Sequence, residues 1–243
     1  MLGVIPARLA STRLPRKVLR EIAGRPMLAW VHAAAMRCPE LDDVIVATDS
    51  DEIANLCRRE GWTFAMTSVD LPSGTDRVHA IARERHADIY VNIQGDEPML
   101  RPEHLTALLR PFRRPGVDVT TLSVRCRDHD TTNPNAVKVV TAADGRALYF
   151  SRATIPFDRD QKSSAPVPRW KHLGLYAYRK DALERFPTLP ERGLEETERL
   201  EQLRFLENGL SIYVERTEYD TIGVDTEEDL KRVEALLRHS DIA

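Results

Sequence analysis

Five cations crowd the first loop of the chain: Arg8, Arg13, Arg16, Lys17 and Arg20, in and just after the stretch VIPARLASTRLPRK. The loop follows an apolar run and has no helical period. Backbone N–H groups together with arginine and lysine side chains make a receptor for a polyphosphate. A solvated, charge-rich surface loop is the competing reading. Neither GxxxxGK[ST] nor GxGxxG is present, so the loop is of neither the Walker nor the dinucleotide type. Pro6, Ala7 and Arg8 come where the first strand gives way to the loop, which is where parallel α/β sheets bind ligands.

The acidic counterpart lies far away in sequence. QGDEP, residues 94–98, puts Gln94, Asp96 and Glu97 at the end of an apolar run. A hard carboxylate oxygen at that position can hold Mg²⁺. GVDTEEDL puts Asp225 at the end of another. The two carboxylates can bridge a metal to a phosphate and a second substrate, or serve only as turn-forming aspartates. SGTDR, residues 73–77, reads as a loop-to-helix entry that binds a base or phosphate through Ser73, Gly74 and the first N–H groups. A plain N-cap explains it equally well.

Two further stretches carry polar groups beside apolar ones. HLGLYAYR sets His172, Gly174 and Tyr176 on one face of a strand, as a polar pocket or as ordinary core. In ERLEQLRFLENG, Glu201 and Gln202 flank a stripe of Leu200, Leu203 and Leu206; they reach a hydroxylated ligand or lie on a solvated face. The cysteines Cys38, Cys57 and Cys126 form no CxxC pair, and neither a zinc-type cluster nor a GxSxG elbow occurs. Covalent catalysis by a nucleophile has no visible equipment. Phosphoryl chemistry by positioning needs none.

These residues need a frame. Strand-like runs at 2–5, 44–48, 64–66 and in ADIYVNIQGDEP, where the strand stops at the glycine, carboxylates and proline, alternate with helical periods that begin at Pro26, after Ser50, after Ser73 and at Pro102. Such alternation requires parallel crossovers and a doubly wound α/β sheet. Strands then crowd together at 117–124, 136–141, 147–151 and HLGLYAYR, which predicts a smaller mixed or antiparallel extension at about 136–190. Helices are expected at 181–186, at 196–208 with Gly209 as C-cap, and after the cap Thr226. Residues 161–168, QKSSAPVP, read as an exposed flexible loop. The chain 1–243 reads as one domain with the extension inserted. Arg8, Ser73, Asp96 and Asp225 each fall just after a predicted strand or in the turn that follows.

A net charge of -3 provides no global field for nucleic acid or an anionic membrane, so the loop cations are local and imply a local anion. No apolar run approaches the roughly 18 residues of a membrane span. The start lacks the features of a signal peptide, and the sparse cysteines suit a reducing compartment, so a cytoplasmic location is expected.

The blocks VIPARLASTRLPRK, GRPML, IVATDS, SGTDR, VNIQGDEPM, NPNAVKVV, ALYFSRATIPFDRD, HLGLYAYR, LEQLRFLENG and GVDTEEDL, in this order, resemble the CMP-Kdo synthetases. These are the 3-deoxy-manno-octulosonate (Kdo) cytidylyltransferases of lipopolysaccharide synthesis. The resemblance implies a Rossmann-like nucleotidyltransferase fold whose smaller extension serves dimerisation. It also implies a Mg²⁺-dependent reaction of CTP with Kdo that gives CMP-Kdo and pyrophosphate, in a homodimer without nucleic acid or membrane partners. By matching position, Pro6, Ala7, Arg8, Arg13, Lys17, Ser73, Gly74 and Arg77 would surround CTP. Asp96 and Asp225 would hold Mg²⁺ and, with Lys17, form the catalytic set. Gln94, Arg152, His172, Tyr176, Glu201 and Gln202 would bind Kdo, with Arg152 on its carboxylate because a planar fork suits that group. Arg16 departs from the pattern: the family often has glycine there, in LPGK. Sialic acid and an amino-substituted Kdo are rival substrates, and a non-catalytic nucleotide sensor is the rival from another class.

Overall fold

Val4 and Ile5 have no exposed surface, because the first strand, β1 (Leu2–Ala7), lies between two parallel neighbours. A computed structural model describes residues 1–11, 13–159 and 167–238. After the cationic loop come two-residue strands, β2 (Glu21–Ile22) and β3 (Arg25–Pro26), and then α1 (Met27–Met36). The alternation continues through β4 (Asp43–Thr48), α2 (Asp51–Glu60), β5 (Phe64–Met66), α3 (Gly74–Glu84), β6 (Ile89–Asn92) and α4 (Pro102–Leu109). Next are β7 (Val119–Arg125), α5 (Asp128–Thr132), β8 (Lys138–Thr141), β9 (Ala147–Ser151) and β10 (Trp170–Arg179). The last elements are α6 (Lys180–Arg185), α7 (Gly193–Glu198), α8 (Leu203–Glu207), β11 (Ile212–Arg216) and α9 (Glu227–Leu237).

The main sheet has the order β11-β7-β10-β6-β1-β4-β5. Every neighbouring pair is parallel except those of β10, which runs antiparallel to both β6 and β7. The mostly parallel sheet expected from the alternation is therefore present. β10 is long enough to serve two structures. Its second half completes the main sheet, while Trp170 and Lys171 pair with β8 and so carry the small antiparallel β8–β9 extension. A register shift between Leu173 and Tyr176 marks the hand-over. Such a bulge re-aims side chains, and it falls in the segment that carries His172, Gly174 and Tyr176.

Helices cover both faces. Leu28, Val31, Leu56 and Leu105 join one apolar cluster; Val78, Ile81, Leu183 and Leu203 join the other. A third cluster bears directly on the loop. Leu14 and Ile22 pack with Met27 and Trp30 of α1 and with Val224, Leu230 and Val233 at α9. Leu14 is 1% exposed, and burying one leucine contributes about 1.5–3 kcal/mol. This apolar anchor seats the cationic loop beside the segment of Asp225.

The caps read from the sequence are made. Ser50 accepts from the Glu52 N–H and Thr226 from that of Asp229. The single helix expected at 196–208 is instead broken in two. Its leucine stripe has the right period, but Arg199 adopts a left-handed conformation (φ 53°) and ends α7. The carbonyls of Glu198 and Arg199 turn away to accept hydrogen bonds from Arg152. The loop expected at 161–168 lies outside the described residues except for its last two. No described helix is long and apolar enough to cross a membrane.

Candidate active site

Lys17 Nζ lies between two carboxylates, hydrogen-bonded to Asp96 Oδ2 and, at 3.0 Å, to Asp225 Oδ1. Three segments must meet for this to happen. Val224 N donates to Asp96 O at 3.0 Å, which ties the β6 exit to the α9 entry. Gly95 permits the β6 exit to lie against the β1 exit, since a Cβ there would stand 3.0 Å from Pro6 O. The apolar anchor of Leu14 supplies the loop. Burial by itself would lower the pKa of Lys17, but Asp96 and Asp225 outweigh it and raise the value.

The other loop cations divide into two groups. Arg13 Nη2 pairs with Asp225 Oδ2 at 3.0 Å and stays at the crevice. Arg16 pairs with Glu52, and Arg20 makes a two-pronged contact with Glu227 at 2.6 and 3.0 Å. Those two fasten the loop to α2 and α9. Arg16 also takes the left-handed conformation (φ 57°) that glycine adopts without strain. Arg8 lines the crevice, with its buried Nη2 lacking a hydrogen-bond partner among the described residues.

The crevice has a volume of about 350 Å³, and Pro6, Arg8, Arg13, Lys17, Gly74 and Asp96 contribute to its wall. Three residues expected around the nucleotide are placed differently. Ala7 is buried in the core beneath. The Ser73 hydroxyl is engaged in capping α3, accepting from Asp76 N and donating to Asp76 Oδ2. Arg77 reaches the wall, yet its side chain has no exposed surface and its guanidinium is bound to Asp49 at 2.5 Å and to Thr67. Burial lowers its pKa and Asp49 opposes that shift. Arg77 thus supports the crevice from behind rather than presenting a free cation to it.

A second cavity of about 840 Å³ adjoins the first, with Arg13, Gln94 and Asp225 in the walls of both. Arg152, His172, Tyr176 and Gln202 line it. The His172 and Tyr176 ring centres are 5.4 Å apart. The Thr121 hydroxyl lies 2.7 Å from Leu175 O and 2.9 Å from His172 Nε2. With its one proton on the carbonyl, it accepts from Nε2–H and leaves Nδ1 as an acceptor. Burial pushes the His172 pKa down to about 3, so the ring is neutral. Tyr176 keeps its proton, because burial raises its pKa well above the usual value; its buried hydroxyl has no partner among the described residues. Glu201 departs from expectation. It lies outside the cavity wall and takes the hydroxyl of Thr75 in the first turn of α3. The next residue, Gln202, faces the cavity in its place.

The cytidylyltransferase family pattern matches residues 2–212. A 3-deoxy-manno-octulosonate cytidylyltransferase of Acidobacterium capsulatum is 64% identical, with 98% of this chain and 96% of the relative covered. Its counterpart in Koribacter versatilis is 61% identical over 98% and 90%. The chain belongs to the cytidylyltransferase family. A solved CMP:2-keto-3-deoxy-manno-octonic acid synthetase, complexed with CTP, superposes with a TM-score of 0.94 at 39% identity over 98% of both chains. A glucose-1-phosphate thymidylyltransferase-like structure from Bacillus anthracis, at 16% identity and a TM-score of 0.68, shares the fold.

Several residues gain a place that their sequence did not suggest. Glu97 lines the larger cavity, and its buried Oε2 has no partner among the described residues. Burial, with the Asp96 charge beside it, pushes its carboxyl pKa up to about 7. Gly174 keeps room for it, since a Cβ there would stand 3.6 Å from Glu97 Oε1. Lys171 and Asp220 form an ion pair of 2.6 Å in the same wall. Asp49 is the counter-charge of Arg77. Its signal was available only as IVATDS, a strand ending in a carboxylate.

The Asp49–Arg77 pair allows a direct check. Asp49→Ala leaves a fully buried guanidinium without its charge partner, and stability should fall by about 3–5 kcal/mol. Urea unfolding measures this. A loss below about 1 kcal/mol, the level of an exposed pair, would show that Arg77 does not depend on Asp49.

Proposed function

We propose that the chain transfers the cytidylyl group of CTP to Kdo, forming CMP-Kdo and pyrophosphate. The observation that carries this reading is the junction of the two cavities: a cation-lined crevice and a roomier polar one share Arg13, Gln94 and Asp225. A nucleotide in the first places its phosphates beside the loop, and a sugar acid in the second approaches from the Gln94 side. The near-identical fold of the CTP-bound synthetase and the names of the close relatives support both substrates.

In the reaction a hydroxyl oxygen of the sugar gives up its proton to solvent and bonds to the α-phosphorus, while the bond from that phosphorus to the pyrophosphate oxygen breaks. Arg8, Arg13 and Lys17 offset charge on the phosphates and on the leaving group. Gln94 orients the two substrates at the junction. Arg152, His172, Tyr176 and Gln202 hold the sugar acid. Arg152 uses three of its five N–H groups on the carbonyls of Glu198, Pro134 and Arg199, which leaves two for the carboxylate.

The residues present fit Mg²⁺. Among the described residues no group of three or more metal-binding side chains converges, but Asp96 and Asp225 both reach the one point that Lys17 Nζ occupies. One or two carboxylates completed by substrate phosphates is the ordinary magnesium arrangement. Bound there, Mg²⁺ would draw charge from the phosphates and ease departure of pyrophosphate. We also propose a cytoplasmic homodimer joined through the extension, which exposes Leu148, Phe157 and Val167 at 62%, 79% and 67%.

The deciding experiment is pyrophosphate release with CTP, Mg²⁺ and Kdo, each omitted in turn, beside sialic acid and an amino-substituted Kdo. Release is expected only with the full set. Turnover of sialic acid and not Kdo would overturn the assignment. Lys17→Gln removes the ammonium that competes for Asp96 and Asp225, so the nucleotide-free protein should bind Mg²⁺ more tightly and CTP more weakly than wild type by calorimetry. Unchanged metal affinity would contradict the shared site. Sedimentation at micromolar concentration should give a species near twice the 27.6 kDa chain mass, and a lone monomer would refute the dimer.

A further inference from the structure

β8 opens on Lys138, whose side chain has no exposed surface. An ammonium so buried is retained only where its donors are well matched. Its Nζ donates to Asn133 O at 2.8 Å, Ala136 O at 2.6 Å and Arg152 O at 2.8 Å. All three N–H groups are thereby engaged.

Those carbonyls belong to two separate pieces of chain. One is the turn 133–136, between α5 and β8; the other is the exit of β9 at Arg152. Both pieces form the wall of the larger cavity, through Asn133, Asn135, Ala136 and Arg152. Arg152 then crosses from one side to the other, donating to Pro134 O at 3.0 Å in the turn and to Glu198 O at 2.7 Å beyond it. The Glu198 carboxylate closes the frame by accepting from Ser151 Oγ at 2.6 Å and from Arg152 N at 2.9 Å. The main chain of Arg152 is therefore held at both its N–H and its carbonyl. The direction of its remaining donors follows from that grip.

We propose that Lys138 is a positioning residue of the sugar-acid subsite. Its ammonium fixes the turn and the β9 exit against each other, and so sets where the free N–H groups of Arg152 meet the carboxylate of the sugar. The inference rests on the reading above, in which Arg152 receives that carboxylate. An apolar side chain of equal length would fill the space but leave three buried carbonyls unpaired.

The test uses Lys138→Gln, which keeps amide donors, and Lys138→Met, which keeps only the length, with Arg152→Gln and the Lys138→Gln/Arg152→Gln double variant. CTP binding is measured by calorimetry, and kcat and KM with Kdo varied. Lys138→Gln should raise the KM for Kdo about tenfold, the loss expected when a charge-assisted hydrogen bond is misplaced, and Lys138→Met should raise it more. CTP affinity should stay within about twofold, because the nucleotide crevice shares no wall with Lys138. The double variant should be no worse than Arg152→Gln alone, since the two act through one contact. An unchanged KM for Kdo, additive losses, or a parallel loss of CTP binding in both variants would each overturn the inference. Absence of turnover in the wild type would overturn the functional reading and this inference with it.

Discussion

Two carboxylates aimed at one point repel each other, and the crevice depends on how that repulsion is answered. Asp96 and Asp225 come from the exits of different parts of the chain, and Lys17 draws both onto a single ammonium. The bond from Val224 N to Asp96 O and the bare Cα of Gly95 against Pro6 bring the backbones close enough for this. The apolar cluster around Leu14 carries the loop to them. Hydrophobic burial supplies the free energy for that approach, and the charges supply its register.

The same pairing shapes what the crevice can bind. Among the described residues, Arg13, Arg16, Lys17 and Arg20 all have carboxylate partners. The loop is thus close to neutral as it stands. A polyphosphate has to compete with Asp225 and Asp96 for Arg13 and Lys17, and a divalent cation has to compete with Lys17 for the same oxygens. On the proposed reading, metal and nucleotide together would satisfy all parties, since each would release the group that the other needs. Binding of either would then favour binding of the other.

The larger cavity is built on a different principle. Beside the Lys171–Asp220 ion pair, other polar groups here are held by main-chain carbonyls and a hydroxyl: Arg152 on three carbonyls, His172 on Thr121 and, behind the wall, Lys138 on three more. Carbonyls orient a cation without cancelling its charge, and Arg152 keeps two donors available to an anionic ligand. The buried, unpartnered Tyr176 hydroxyl and Glu97 oxygen stand in the same wall. A buried polar atom without a partner costs about 1–3 kcal/mol, which a polyhydroxylated ligand can offset.

Local order could be read from the residues. The alternating elements, the caps at Ser50 and Thr226, the left-handed Gly209 just past the C-cap Asn208 and the place of Asp96 after β6 all depend on neighbours within a few positions. Asp225, read as a strand-end residue, instead follows an irregular stretch after β11 and stands at the entry to α9. What failed to show depends on distant partners. The break at Arg199 answers to Arg152, 47 positions away, and overrides an intact leucine stripe. Glu201 turns to Thr75, 126 positions away, which leaves Gln202 to face the cavity. Arg77 lies behind the crevice because Asp49 claims it. Even Lys17, recognisable as a cation near a ligand, shows its place between two carboxylates only once residues 79 and 208 positions off are folded beside it. The sequence by itself determined which groups of each charge stand in the turns and at the helix entries, because periodicity and capping are short-range. Tertiary structure alone decided which of them remain free for a ligand, because a charge is engaged or available according to what lies within a few ångströms in space.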